Sequence, residues 1–319
     1  MNKYEILMIG KPGGNLVRTY DWHIEALNND KKKRYKVDCI HSMTKNVDIS
    51  KYNIAWFYAK AFQPEMYHTI KKLRPDIKIV FGPNILLDKP DVGPSDDWDK
   101  WYIENCKPDL HLDQVSFYSN HVKKFLKEDV KKVAKTLNKC IKIENNLYNP
   151  DIKKEYDCLI YSKKRRYDTR FEDFRYDLLL LLEKNNINFC EIPAGKFGSY
   201  NRNDYFKLLN KSKVMINLSL DECPGILNYE SMFFNVPVIG SPHNVPITSC
   251  KDFYVKDTDE MTEKYLVRKK DAAEKYFNKI KDFLDGKINS NINHREWVLK
   301  ETSFQNYCDR LDLLISEVI

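Results

Sequence analysis

No apolar stretch among the 319 residues approaches the ~18 that a membrane-spanning helix needs. The start, Met1-Asn-Lys-Tyr-Glu-Ile-Leu-Met-Ile-Gly10, has too short an apolar run for a secretory leader and no small-residue cleavage pattern, so it reads as a first strand. Glycine is scarce, at 10 residues, and nowhere does it form the Gly-x-Gly-x-x-Gly turn of dinucleotide binders. Cys-x-x-Cys is absent too. The eight cysteines lie scattered at 39, 106, 140, 158, 190, 223, 250 and 308, which argues against a zinc site or a disulfide framework. Several (Cys39, Cys158, Cys190) sit in apolar strand-like runs and read as reduced, buried thiols. A repeat of solenoid period is also missing. These absences lead us to expect a cytoplasmic chain.

What is present is a globular composition. Hydrophobic residues make up 42% and charged residues 31%, enough for a packed core and against global disorder. The length suggests two domains of about 100–200 residues each. Net charge is +7, with runs at Lys31-Lys-Lys-Arg34 and Lys163-Lys-Arg-Arg166. Abundant Lys and Asn over few Gly suggests an AT-rich genome, which inflates lysine without function. The excess fits an anionic donor or weak association with a membrane surface, and its dispersal counts against nucleic acid.

Strand-like apolar runs alternate with amphipathic helical stretches, the pattern of parallel sheets with crossover helices. In the first half we expect strands over 5–10, 36–40, 54–57, 77–81, 110–113 and 141–143, with helices over 15–27, 64–73, 98–105 and 120–128. In the second half strands are expected over 157–161, 189–193, 214–218, 236–240 and 253–255, with helices over 170–184, 202–209, 226–234 and 260–284. The polar stretch 145–156 has turn residues and no periodicity, so it reads as the linker. This divides the chain into domains over 1–150 and 151–301, and the last stretch reads as two helices meeting near Thr302-Ser303.

The most informative segment is Ser219-Leu-Asp-Glu222-Cys-Pro-Gly225-Ile-Leu-Asn-Tyr-Glu230-Ser-Met-Phe-Phe-Asn-Val-Pro-Val-Ile-Gly240. It reads strand end, acidic loop, helix, tight turn, strand. A Gly-opened helix end offers N–H groups and a positive dipole to phosphates, while Glu222 and Glu230 can accept hydrogen bonds from sugar hydroxyls. The spacing alone is weak, since about one such glutamate pair is expected by chance. Context gives it value: a strand before, Gly225 three residues after Glu222, and Pro-Val-Ile-Gly closing the unit. An acid near a helix start also has a plain explanation, worth only ~0.3–1 kcal/mol. Cys223 lies in the same loop but has no partner His recognisable by spacing.

This unit resembles that of the retaining glycosyltransferases of the GT-B fold, group 1 type, whose second domain carries Glu-x7-Glu in such a strand–loop–helix–strand arrangement. The resemblance covers the second half well and the first half mainly in layout. It implies an α/β chain of two Rossmann-like doubly wound domains facing a cleft, with the C-terminal helix, about 302–319, crossing back to the first. It implies Glu230 for the donor ribose, and Glu222 with Gly225, Ile226 and Leu227 for the transferred sugar and diphosphate. It also implies a basic pair for the leaving diphosphate after the first strand of the second domain, in Ser162-Lys163-Lys164-Arg165-Arg166. Lys163 matches best, and its partner among Lys164, Arg165 and Arg166 stays open. A preorganised cation pair stabilises the departing charge, a job done by a metal in other folds, so neither metal nor cofactor is expected. A solvated basic turn is the bland reading of the same run.

Other loops complete the expected site. After the strand ending at Pro193, Phe197 or Tyr200 is placed to stack on the nucleobase, the role the family gives this loop, while Tyr205 and Phe206 read as core. The turn Gly10-Lys-Pro-Gly13-Gly14-Asn15 is explained by a tight turn with Asn15 as helix cap; the family uses it to approach donor phosphate or acceptor. Gly82-Pro-Asn84 stands where many retaining members carry a His, which leaves a His-assisted role in doubt and suggests a sugar- or acceptor-facing loop. Trp98 and Trp101 end a long polar loop of the kind that shapes acceptor choice. His111, in a strand-like context, reads as structural.

The reading is a metal-independent, retaining glycosyltransferase moving a sugar from a UDP- or GDP-sugar to a glycan, lipid or protein-linked acceptor. The alternatives are a DNA-base glycosyltransferase, a non-catalytic nucleotide-sugar or glycan-binding protein of the same fold, and a nucleotide-sugar epimerase.

Overall fold

In a computed structural model of the chain, the described residues are 3–10, 16–40, 47–58, 64–82, 101–102, 104–113, 126–164, 168–193, 201–219, 225–241, 252–261, 266–290 and 292–318. The chain divides into two compact units, Met1–Lys142 with Glu301–Ile319, and Ile143–Lys300.

The first unit is built on a parallel sheet of β1 (Tyr4–Ile9), β2 (Tyr35–Ile40), β3 (Ile54–Phe57), β4 (Lys78–Phe81), β5 (Leu110–Asp113) and β6 (Ala134–Thr136), in the order β2-β1-β3-β4-β5-β6. Its central strands read as nearly continuous apolar runs because both faces are covered; Ile6, Leu7, Trp56, Phe57, Ile79 and Val80 are fully buried. Helices α1 (Leu16–Asn28), α2 (Pro64–Leu73) and α3 (Glu128–Lys132) lie between strands. The sixth strand is Ala134–Thr136, not the expected 141–143. The reason is pairing: His111, Leu112 and Asp113 of β5 align with Ala134, Lys135 and Thr136, whereas the amide of Ile141 goes to the carbonyl of Thr302. The helix expected over 120–128 lies mostly outside the described residues, and what is described of that region is α3. Cys39 is exposed, not buried, because β2 is an edge strand.

The last helix completes this unit. Tyr307, Cys308, Leu311 and Ile315 form its buried stripe, at helical spacing, against α1. Arg34 anchors its polar side: Nε and Nη2 donate to the two oxygens of Asp30 at 2.8 and 2.7 Å, and the guanidinium also reaches Asp309 and Asp312.

The second unit holds β7 (Tyr156–Ser162), α4 (Phe171–Lys184), β8 (Phe189–Pro193), α5 (Arg202–Lys211), β9 (Ser212–Asn217), α6 (Ile226–Phe233) and β10 (Val238–Ile239), with a parallel sheet ordered β10-β9-β7-β8. The strand expected over 253–255 is a single parallel bridge between Gly240 and Tyr254. The helix expected over 260–284 starts only at Ala272. Before it stands an antiparallel hairpin, β11 (Asp259–Met261) and β12 (Leu266–Arg268), and only then α7 (Ala272–Leu284). The apolar spacing of α7 and the β-forming Leu266-Val267 run together in sequence, so periodicity alone merged them. The chain then runs through α8 (His294–Glu301) to α9 (Phe304–Val318).

Candidate functional site

Both sheets place the first strand beside the third, so the chain leaves these two neighbouring strands toward opposite sides of the sheet. Such a switch point, outside the carboxyl ends of the two central strands, is where open α/β sheets bind ligands. In the second unit these strands are β7 and β9, aligned from Cys158 with Val214 to Tyr161 with Asn217. The residues following them are Lys163-Lys164 and Leu218-Ser219.

The β9 end is built from buried amides. The side-chain oxygen of Asn217 accepts from the backbone N–H of Ser219 at 2.9 Å, and its Nδ2 donates to Oδ1 of Asn228 at 3.0 Å. Tyr276 Oη donates to the Asn217 carbonyl at 3.3 Å. Asn217 and Asn228 have no exposed surface, so strand end and helix start are tied through a fully desolvated link. Gly225 caps α6 in an extended conformation without a side-chain hydrogen bond. This leaves the first amides of the helix to backbone, solvent or ligand.

Glu230 stands in the second turn of α6 and is fully buried. Arg202, the first residue of α5, donates from Nε to its Oε1 at 2.8 Å, and 29% of the arginine side chain is exposed. Asn201 caps α5 by accepting from the amides of Asn203 and Asp204, and the Arg202 guanidinium lies 4.8 Å from the centre of the Phe206 ring. Tyr205 Oη bonds the Leu227 carbonyl at 2.7 Å, fixing α5 to the start of α6. Tyr205 and Phe206 are core, as their sequence context suggests.

The β7 end is braced from the side. Ser162 donates to Glu191 on β8, whose carboxylate is gripped by Arg175 through Nε and Nη2. Lys163 follows, half-buried, and Lys164 is exposed and pairs with Glu172 at 3.4 Å. Beyond them, Arg268 Nε donates to Asp168 Oδ2 at 2.9 Å, with 1% and 0% of the two side chains exposed. Arg268 Nη2 bonds the Leu218 carbonyl.

Of the sequence-proposed residues, the structure thus describes Lys163, Lys164, Gly225, Ile226, Leu227 and Glu230 in the second unit. Arg165, Arg166, Phe197, Tyr200 and Glu222 lie outside the described residues. In the first unit Gly13, Gly14, Asn15 and Asn84 lie outside them as well. Gly82 is described: its φ is +105°, and a Cβ there would stand 2.1 Å from the Leu112 carbonyl oxygen. Its own carbonyl accepts from Trp56 Nε1 at 2.7 Å, so the glycine is needed for strand packing. His111 is fully buried in β5, with Nδ1 2.8 Å from Tyr102 Oη and Nε2 3.4 Å from Asp113. Trp101 packs edge-on against Tyr67 and His68. Arg202, Asn217, Asn228, Asp168 and Arg268 escaped the sequence reading. The asparagines had a signal, since each is a polar residue inside an apolar run.

Among the described residues no group of three or more His, Cys, Asp or Glu is placed to hold a metal ion. No helix there is long and apolar enough to cross a membrane.

No protein-family model matches the sequence, and no curated protein does. Solved structures match over the full length. HepE of Anabaena, in complex with UDP-glucose, aligns with 98% of this chain and 100% of its own at a TM-score of 0.59 and 10% identity. The sucrose-phosphate synthase of Thermosynechococcus elongatus aligns over 98% of each chain, TM-score 0.58, 11% identity. The UDP-forming trehalose-phosphate synthase of Burkholderia xenovorans covers 100% of this chain and 99% of its own, TM-score 0.58, 11% identity. The fold is GT-B. At such identities the likeness is one of architecture: a GT-B chain of two Rossmann-like units, with the site above at the switch point of the second.

Proposed function

We propose that this chain is a glycosyltransferase that moves a sugar from a nucleoside diphosphate sugar, UDP-linked in the first instance, to a glycan, lipid or protein-linked acceptor. The observation that carries the reading is Glu230, a buried carboxylate in the second turn of a Gly-opened helix that follows a central strand at the switch point. The full-length likeness to a GT-B protein crystallised with UDP-glucose supports it. Function itself lives in the site and not in the fold.

In this reading Glu230 accepts from the ribose hydroxyls, and Arg202 holds its Oε1 in place. The amides of Gly225, Ile226 and Leu227 receive the diphosphate at the helix N-terminus. Lys163, with Arg165 or Arg166, stabilises negative charge as the nucleoside diphosphate departs. Glu222 orients the sugar, and Phe197 or Tyr200 stacks on the base. With this cation pair in place the transfer proceeds without metal or cofactor and with retention, the leaving phosphate assisting attack on the same face. Gly13, Gly14 and Asn15, with Gly82 and Asn84, belong to loops of the first unit that approach the donor phosphate or the acceptor. The protein works in the cytoplasm, with weak attraction to an anionic membrane surface.

The test is thermal stability against UDP, GDP and their sugars, with and without EDTA. A ligand that binds the native state raises stability by ~2.7 kcal/mol at a hundredfold excess over its Kd. A shift with one diphosphate family, unchanged by EDTA and lost in Glu230→Ala, is expected. No shift with any nucleotide sinks the reading.

A further inference from the structure

The buried pair Arg268–Asp168 lies outside every motif that points to the site, yet it joins the two chain segments that frame it. Arg268 ends the β11–β12 hairpin and is 1% exposed. Its Nε reaches Asp168, just after the basic run that follows β7, and its Nη2 reaches the carbonyl of Leu218, the first residue after β9. The guanidinium lies 4.1 Å from the Phe174 ring centre, and Arg170 Nη1 donates back to the Arg268 carbonyl at 2.7 Å. One planar fork therefore holds Asp168 and Leu218 in fixed relation. A lysine could not do this, because it offers a point charge and not a rigid set of donors.

The arrangement is a poor way to gain stability. A buried ion pair loses much of its attraction to desolvation, and apolar residues of similar volume often serve as well or better. What the pair supplies is geometry. Leu218 precedes the segment that leads to Gly225 and α6, and Asp168 closes the segment that begins at Lys163. An anion held between the α6 amides and Lys163 needs both segments at a set distance, and a misplacement of about 1 Å at such a site costs about a hundredfold.

We infer that Arg268 is a positioning residue that couples the segments after β7 and β9 and so sets the affinity of the site for the diphosphate part of its ligand. The inference rests on the proposed transferase reading for the identity of the ligand, and on the Arg268 contacts alone for the coupling.

The test takes the whole chain and compares wild type with Asp168→Leu/Arg268→Met, which removes the charges together and leaves apolar side chains of similar shape, and with Arg268→Lys. Binding of UDP and GDP is measured by calorimetry against uridine and guanosine. We expect the folded variants to bind the nucleoside as wild type does and to lose at least tenfold of the extra affinity for the diphosphate. A folded double variant with that extra affinity intact overturns the inference, and the pair is then structural only. If wild type binds no nucleotide, the transferase reading fails and hydrogen exchange decides the coupling. Peptides covering 163–170 and 217–226 should then exchange about tenfold faster together in the variants while the β8 peptide is unchanged. Exchange at wild-type rates in either peptide overturns it. Should the double variant fail to fold, Arg268→Lys carries both measurements.

Discussion

Arg202 donates from Nε to Oε1 of Glu230 at 2.8 Å, joining the first residue of α5 to a carboxylate with no exposed surface. Removing one member of a buried pair leaves the other's charge in a medium that solvates it poorly. Arg202→Met should therefore cost toward the lower end of about 3–5 kcal/mol, since the arginine is itself partly exposed. Glu230→Gln keeps the shape and an acceptor oxygen and should cost less. Urea unfolding of the two variants and their combination measures the coupling; a loss below about 0.5 kcal/mol in Arg202→Met would show that the carboxylate is held by other groups. In the same variants UDP affinity should fall with Glu230→Gln more than stability does.

Acid should weaken both units through two buried histidines. Burial, with a smaller contribution from Lys139, lowers the pKa of His23 from 6.5 to about 3, and burial lowers that of His294 to about 4. Between pH 6.5 and these values the unfolded chain binds protons that the folded chain refuses. Stability thus falls with decreasing pH by about 1.4 kcal/mol per pH unit for each group. His294→Leu should flatten the slope between pH 6.5 and 4 in the second unit and change little at pH 7.5. Below that window Asp30 takes over. Its hydrogen bonds with Arg34 hold its carboxyl well below the usual carboxylate range, so its contribution is complete above about pH 4 and disappears as pH falls through the lowered value. An unfolding midpoint flat from pH 7 to 4 would contradict the histidine assignment.

Gly82→Ala tests whether the glycine at the end of β4 is there for packing. Its φ of +105° disfavours any side chain, and the added Cβ would meet a backbone oxygen of the adjacent strand, which cannot swing aside. A cost of about 1–3 kcal/mol is expected, read as a lower urea midpoint with an unchanged m-value. A neutral result would mean that β4 and β5 separate easily at this point. Gly10 is a softer case, because the obstacle is the Tyr20 ring, which can rotate.

The α/β class and the parallel sheets were legible in the sequence because buried parallel strands are short apolar runs with helical spacing between them, as at Val214–Leu218 or Ile54–Phe57. The strand–Gly–helix unit around Glu230 was legible for the same reason, all its parts lying within about two dozen residues. What sequence could not show were contacts between distant residues. Arg268 and Asp168 are 100 positions apart and Arg202 and Glu230 are 28 apart, and a lone arginine in a lysine-rich chain carries no mark of burial. The 260–284 error has a different cause: Leu266-Val267 fits both a short strand and a helix turn, and only the pairing of Met261 with Leu266 decides between them.

Lys163 and Lys164 are neighbours in sequence and differ in setting. Lys164 is exposed and pairs with Glu172 at 3.4 Å across solvent, an interaction of about 0–1 kcal/mol. Lys163 is half-buried directly after the β7 strand end, where Ser162 is fixed by Glu191 and Arg175. A cation that serves the departing diphosphate must be held in place before reaction, because reorganising it during the step returns the barrier it is meant to lower. Lys163→Ala should therefore cut turnover by about a hundredfold or more, with a smaller change in donor affinity. Lys164→Ala should leave kcat and KM within about twofold, consistent with an exposed pair. Steady-state kinetics with the donor identified by thermal shift separates the two. Equal losses from both substitutions would mean that the run acts as diffuse positive charge; their effects would then shrink together as ionic strength rises, because exposed charges are screened beyond about 8–10 Å at such salt.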